Sequence, residues 1–254
     1  ALLTHGLRSI ANEELAQSWH CPDAILAWVD GGELKLGPIG EYLPFRERSE
    51  ELIRIDCDHL EEALQTGASG ALTASGTMAV CRRLDIPMAI TCGMGGIGDL
   101  RGEELCPDLP ALMNIPVALI STSPKDMLDR PATLDWLRRH GVHTAGEPCT
   151  GYLFCGEPVA LELPLSSCNN EAAVRRLTAN GGLLLLNPIP EKERVQDRSI
   201  LVDAIKAGKQ AEAEGHYYHP AANGEIDRRT DGYSSRIQLE SIQQNYLLAK
   251  SIMD

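Results

Sequence analysis

Residues 182–186 read GLLLL and stop at Asn187-Pro188-Ile189-Pro190. An unbroken apolar run this short, closed by proline, fits a strand covered on both faces. Residues 87–91 (PMAIT) and 117–121 (VALIS) have the same form. The first runs into a glycine-rich stretch and the second into a Ser/Thr/Pro turn. Before, between and after them lie segments with helical character: 58–65, 73–84, 108–113, 132–140, 199–214 and 237–253. Asp58 is the expected cap of the first of these. Residues 24–29 and 33–36 read as two short strands turning at Asp30-Gly31-Gly32. Doubly covered strands alternating with helices specify an α/β fold: a single-domain α/β/α sandwich with a mainly parallel central sheet. Residues 1–254 are read as that one domain.

Charge narrows the function. The 254 residues carry 36 acidic and 23 basic side chains, a formal net charge of −13. Polymeric nucleic acid and anionic membrane surfaces both require a positive field, so neither is an expected partner. No apolar run reaches the roughly 18 residues of a membrane span. Residues 1–10 read as domain sequence rather than as a signal peptide, and a cytoplasmic location is expected. The eight cysteines form no CxxC pair. They are expected to be reduced, mostly buried thiols rather than a zinc site or disulfide framework.

Ligands of open α/β sheets bind at the carboxyl ends of strands, and three such ends are unusual here. Residues 93–98 (GMGGIG) place backbone N–H groups where an anion can approach, yet they match neither GxGxxG nor a P-loop, and a tight turn serves equally. Lys125 follows a strand in a Ser/Thr/Pro turn. A lysine there becomes an imine-forming nucleophile when desolvated, and an ordinary surface cation when not. Glu103, Glu104 and Asp108 form an acidic stretch that suits either a hard divalent cation or the N-terminus of a helix.

Taken in order, these segments resemble the pseudouridine-5′-phosphate glycosidase family, also called indigoidine synthase A-like proteins. The similarity runs along nearly the whole chain. It includes His5-Gly6, the hairpin Gly31-Gly32-Glu33-Leu34-Lys35-Leu36-Gly37, and Gly70-Ala71-Leu72-Thr73 through Thr77-Met78. It continues with Met94-Gly95-Gly96-Ile97-Gly98 before Arg101-Gly102, the lysine turn from Ser123 to Asp129, Asn187-Pro188-Ile189-Pro190-Glu191 and Ile237-Gln238-Leu239. The resemblance implies reversible cleavage of the C–C glycosidic bond of pseudouridine 5′-phosphate to uracil and ribose 5-phosphate. A divalent cation, usually manganese, and a homotrimer are implied with it.

By the same resemblance Lys125 is the nucleophile that forms an imine with C1′ of the opened sugar. Arg54 takes the place of a phosphate- or substrate-binding lysine, and Ala74 that of a small substrate contact. Cys106, Pro107 and Asp108 align with a Ser-Ala-Asp substrate-binding segment, and Glu104 with a metal-binding Asp. The departures are specific. No Glu stands among residues 1–4, before His5, where the family carries its general acid/base. Met94 replaces a Thr, Asp56-Cys57-Asp58 replaces Ser-Arg-Arg, and Arg236 replaces an Asn beside Ile237-Gln238-Leu239. Two alternatives follow from the altered pocket. One is a C-glycoside synthase joining ribose 5-phosphate to a carbon nucleophile other than uracil. The other is a non-catalytic sugar-phosphate binder.

Overall fold

The computed structural model describes residues 1–98, 106–179, 181–215 and 218–254. Its strands are β1 (Leu26–Asp30), β2 (Glu33–Gly37), β3 (Ile53–Ile55), β4 (Gly70–Leu72), β5 (Met88–Ile90), β6 (Gly93–Met94), β7 (Ala118–Ser121), β8 (Ser123–Pro124), β9 (His143–Gly146) and β10 (Leu183–Leu186). Its helices are α1 (Asn12–Ser18), α2 (Ile39–Glu47), α3 (Leu60–Thr66), α4 (Ala74–Arg83), α5 (Asp108–Asn114), α6 (Arg130–Arg139), α7 (Glu171–Thr178), α8 (Ser199–Ala213), α9 (Tyr218–Arg229) and α10 (Tyr233–Met253).

The apolar runs form a parallel four-stranded sheet in the order β5-β7-β10-β9. Successive side chains of a strand point to opposite faces, and here both faces are covered. Leu184 and Leu186 of β10 and Leu119 of β7 pack with Met78 of α4, Leu109 and Leu112 of α5 and Leu134 and Leu137 of α6. Leu183, Leu185, Ala118 and Ile120 face the other way, against Val174 of α7 and Ala249 and Ile252 of α10. This is why β10 is leucine throughout: every one of its residues is within 2% of full burial. Each such leucine contributes about 1.5–3 kcal/mol by leaving water. The sandwich expected from the sequence is therefore present.

A second sheet, β2-β1-β4-β3, is mixed. β1 and β2 form the expected antiparallel hairpin, turning through Gly31 and Gly32, both at positive φ. β3 and β4 are parallel. One face packs Trp28 and Ala71 on Leu15 of α1, Tyr42 and Phe45 of α2 and Leu239 of α10. The other packs Val29, Ile55 and Leu72 on Leu60 and Ala63 of α3 and Val80 of α4. The N-terminal segment, with a π-helical turn at Leu2–Gly6, is fixed by buried Arg46. Its guanidinium donates to the carbonyls of Leu3 (2.6 Å), Leu7 (2.6 Å) and Ile10 (2.7 Å).

One expectation is corrected. Asp58 does not cap α3; His59 is the N-cap residue. Asp56 instead accepts the N–H groups of Asp58 (3.0 Å) and His59 (3.1 Å). All eight cysteines are free thiols, and most are buried, as expected; Cys57, Cys106 and Cys155 are partly buried. No helix among the described residues is long and apolar enough to cross a membrane.

Candidate active site

Lys125 emerges where the parallel sheet ends. Past β7, the N–H of Thr122 donates to the Cys92 carbonyl (2.8 Å), and β8 pairs with β6. The Lys125 N–H then donates to the Met94 carbonyl (3.2 Å). The side chain is thereby delivered to the carboxyl edge of the sheet. Burial and the Arg54 guanidinium hold its amine below the ordinary lysine range, against the opposing pull of Asp108, Cys106 and Cys92. No ion pair fixes it among the described residues. A desolvated amine without a carboxylate partner is the form that attacks a carbonyl.

The lysine faces a cavity of about 1010 Å³ between the two sheets. Arg54, Ala74, Cys106, Pro107 and Asp108 all line it, so the residues separated in sequence meet at one place. Arg54 projects from β3, exposed and without a carboxylate partner among the described residues. Ala74 opens α4 behind Thr73, whose hydroxyl accepts the Gly76 N–H (3.3 Å). Cys106 lies so close to the glycine loop that a Cβ on Gly95 would fall 2.0 Å from its sulfur. Burial pushes the Cys106 thiol up to about 12, so it stays protonated at neutral pH.

Asp108 is 7% exposed and serves the architecture of the site. It accepts the N–H of Ser75 at 3.0 Å and of Gly95 at 2.8 Å, tying α4, the glycine loop and α5 together. Gly93–Met94 form β6, and beyond it the Gly95 N–H is given to Asp108 and that of Ile97 to Thr133 (2.9 Å), so both are taken up by the protein's own side chains. Glu103 and Glu104 lie outside the described residues. Among the described residues no group of three or more His, Cys, Asp or Glu side chains is arranged to hold a metal. Arg236 is 60% exposed and paired with Glu14 (3.3 Å), off the cavity.

Sequence reasoning missed three kinds of residue here. Tyr152 and Gln238 line the cavity beside Lys125, joined by a hydrogen bond from the tyrosine hydroxyl (2.9 Å). Asp56 and His59 stand at the cavity with the imidazole Nδ1 2.7 Å from the carboxylate. His5 is marked in the sequence by Gly6, by the room for a polar pocket there and by resemblance, but without a role. It lines the cavity with a buried Nε2 that has no hydrogen-bond partner among the described residues. Burial first, then nearby positive charge, brings its pKa down to about 4.

Fold and site together define the class: an α/β/α protein with a desolvated lysine amine and, among the described residues, a guanidinium without a carboxylate partner in one small-molecule cavity. The sequence pattern of the family described as Indigoidine synthase A like protein matches residues 2–253, and the chain belongs to that family. Among its relatives is the pseudouridine-5′-phosphate glycosidase of Methylobacterium nodulans, 28% identical over 99% of this chain and 80% of the relative. The enzyme of the same name from Petrotoga mobilis is 26% identical over 99% of this chain and 88% of the relative. Two solved structures share the fold, each with a TM-score of 0.76 over 99% of this chain and 89% of theirs. One is the prealnumycin C-glycosynthase AlnA in complex with ribulose 5-phosphate, 23% identical. The other is an indigoidine synthase A-like protein of Thermotoga maritima, 19% identical.

Proposed function

We propose that this protein is an enzyme that makes and breaks the C–C glycosidic bond of pseudouridine 5′-phosphate through an imine on Lys125. The observation that carries the reading is the desolvated amine of Lys125 in the same cavity as the Arg54 guanidinium, neither with an ion-pair partner among the described residues. In the bond-forming direction the Lys125 amine adds to the C1′ aldehyde of open-chain ribose 5-phosphate, and water leaves. The protonated imine carbon then accepts the electron pair of the uracil carbon, which gives up its proton to water; the C1′–N bond breaks as the Lys125 amine leaves, the O4′ hydroxyl closes the ring on C1′ with loss of its proton, and cleavage is the reverse. Arg54 is suited to the phosphate, because a guanidinium binds phosphate oxygens in pairs. Ala74, Cys106 and Pro107 wall the cavity, and Asp108 holds the segments that carry them. The test is release of uracil from pseudouridine 5′-phosphate followed by chromatography. The wild type turns over, and Lys125→Ala does not; a Lys125→Ala variant with wild-type turnover refutes the reading, and a wild type without turnover favours the non-catalytic binder.

A second reading has its own support. Arg236 stands off the cavity, and the cavity's outer part is apolar, with Ile25, Leu36 and Ile86 exposed along it. That space suits a carbon nucleophile larger than uracil. Assembly as a homotrimer belongs to the proposal too, since exposed apolar surface of this kind is what a second copy covers. Light scattering in solution tests it. A divalent cation, manganese, enters through Glu104. The described residues do not by themselves fit a metal, so no step runs through it, and loss of turnover on chelation with recovery by manganese is its test. The enzyme is proposed to act in the cytoplasm.

A further inference from the structure

The residue after the nucleophile is a buried carboxylate. Asp126, with its side chain 5% exposed, accepts three successive backbone N–H groups: Tyr152 (2.9 Å), Leu153 (2.7 Å) and Phe154 (3.1 Å). Arg130, one helical turn further on, stands 3.7 Å from the same carboxylate. The chain at 151–154 is drawn close over that guanidinium. Gly151 has φ +130°, and a Cβ there would fall 2.6 Å from the Arg130 Nη1 and 2.0 Å from the Phe154 carbonyl oxygen. The segment therefore has one place to sit.

Its position sets Tyr152. The hydroxyl donates to the Gln238 side-chain carbonyl of α10 (2.9 Å) and lies 3.0 Å from the Cys92 sulfur. The ring lies against Gly93. A Cβ on Gly93 would meet the ring at 2.8 Å and the Cγ of Lys125 at 3.2 Å, so ring and lysine stem flank the same point of backbone. Tyr152 is 3% exposed and closes the cavity on the lysine side.

We propose that Asp126 and Tyr152 are positioning residues for Lys125: Asp126 locks the segment that carries Tyr152 to the lysine turn, and the ring shields and aims the lysine stem. This rests on the reading of Lys125 as the reacting amine. The charged or titratable groups facing that amine are Arg54 from β3, Asp108 and Cys106 at the start of α5, and Cys92 ahead of β6. None of these supplies an apolar cover, and Tyr152 does. Burial pushes the Asp126 carboxyl up, opposed by the three N–H groups and Arg130, which is how a carboxylate is kept in such a place.

The experiment measures the rate of Lys125 modification by trinitrobenzenesulfonate against pH, read by peptide mass spectrometry, beside borohydride trapping with ribose 5-phosphate. It uses the wild type, Asp126→Asn, Tyr152→Leu and Tyr152→Phe, each checked for folding by circular dichroism. In Asp126→Asn and Tyr152→Leu the midpoint moves up by about one pH unit, and trapping at neutral pH slows about tenfold. Tyr152→Phe keeps the ring and stays within about twofold of wild type. Folded Tyr152→Leu with an unchanged midpoint overturns the proposal, whatever Asp126→Asn does. If the midpoints shift as stated but wild type traps no ribose 5-phosphate, the positioning role stands and the proposed reaction falls.

Discussion

Replacing Asp108 by Asn tests whether this carboxylate is the tie that assembles the site. Its two oxygens accept from Ser75 and Gly95 at 3.0 and 2.8 Å with the residue 7% exposed. Asparagine keeps one acceptor and turns an NH2 toward the second N–H. One charge-assisted hydrogen bond, about 1.5–3 kcal/mol, is lost, and a buried donor is left facing another donor. The expected destabilisation is about 3 kcal/mol. In a chain of this size that lowers Tm by roughly 6–12 °C. The assay is thermal unfolding by circular dichroism. The same substitution removes a negative charge that holds the Lys125 amine up. In the folded variant the pH profile of Lys125 labelling therefore moves down, opposite to the direction expected for Tyr152→Leu. A Tm within about 2 °C of wild type refutes the tie. A labelling profile that moves up refutes the electrostatic part.

Arg54→Met is expected to raise KM for the phosphorylated sugar about 10- to 100-fold, the loss of a charged hydrogen bond. It also moves the Lys125 profile up, since the guanidinium lowers that amine; an unchanged KM refutes its anion role. Arg46→Met removes the donor to the carbonyls of Leu3, Leu7 and Ile10 and is expected to cost about 3 kcal/mol. Hydrogen exchange then rises first in residues 3–12, and uniform exchange across the chain argues against a local clamp. His5 titrates at about 4 in the fold and near 6.5 unfolded. The unfolded state thus binds more protons between those values, and stability falls as pH drops from about 6.5 to 4. After discount for partial exposure the loss is about 2 kcal/mol. Urea titrations of His5→Gln should lack that slope, and an identical slope in both proteins excludes His5 as its source.

The legible parts of the fold were those whose side chains meet one kind of environment. β5, β7 and β10 were visible because both faces are dry, and the β1–β2 hairpin because Gly31-Gly32 punctuates it. β9 carries the polar-looking run His143–Gly146 and is strand because β10 supplies its partner, a fact that no local pattern contains. β4 spans only Gly70–Leu72 and is fixed by β3 on one side and Val29 on the other. α2 contains Pro44, which argues against helix until its aromatic neighbours Tyr42 and Phe45 find Trp28. In the site, Lys125 was legible as a residue past a strand end, and its neighbours Arg54, Ala74 and Cys106 to Asp108 through resemblance. Tyr152 was not, because the feature that places it is Asp126, 26 residues away, reading backbone amides that every residue possesses.

The central claim is that Lys125 carries the sugar. Incubation with ribose 5-phosphate and borohydride, followed by digestion and mass spectrometry, tests it most directly. A reduced sugar-phosphate adduct is expected on Lys125 alone, lost in Lys125→Ala and slowed when Arg54 is replaced. A folded wild-type protein with no adduct, or with adduct spread over surface lysines and retained in Lys125→Ala, contradicts it.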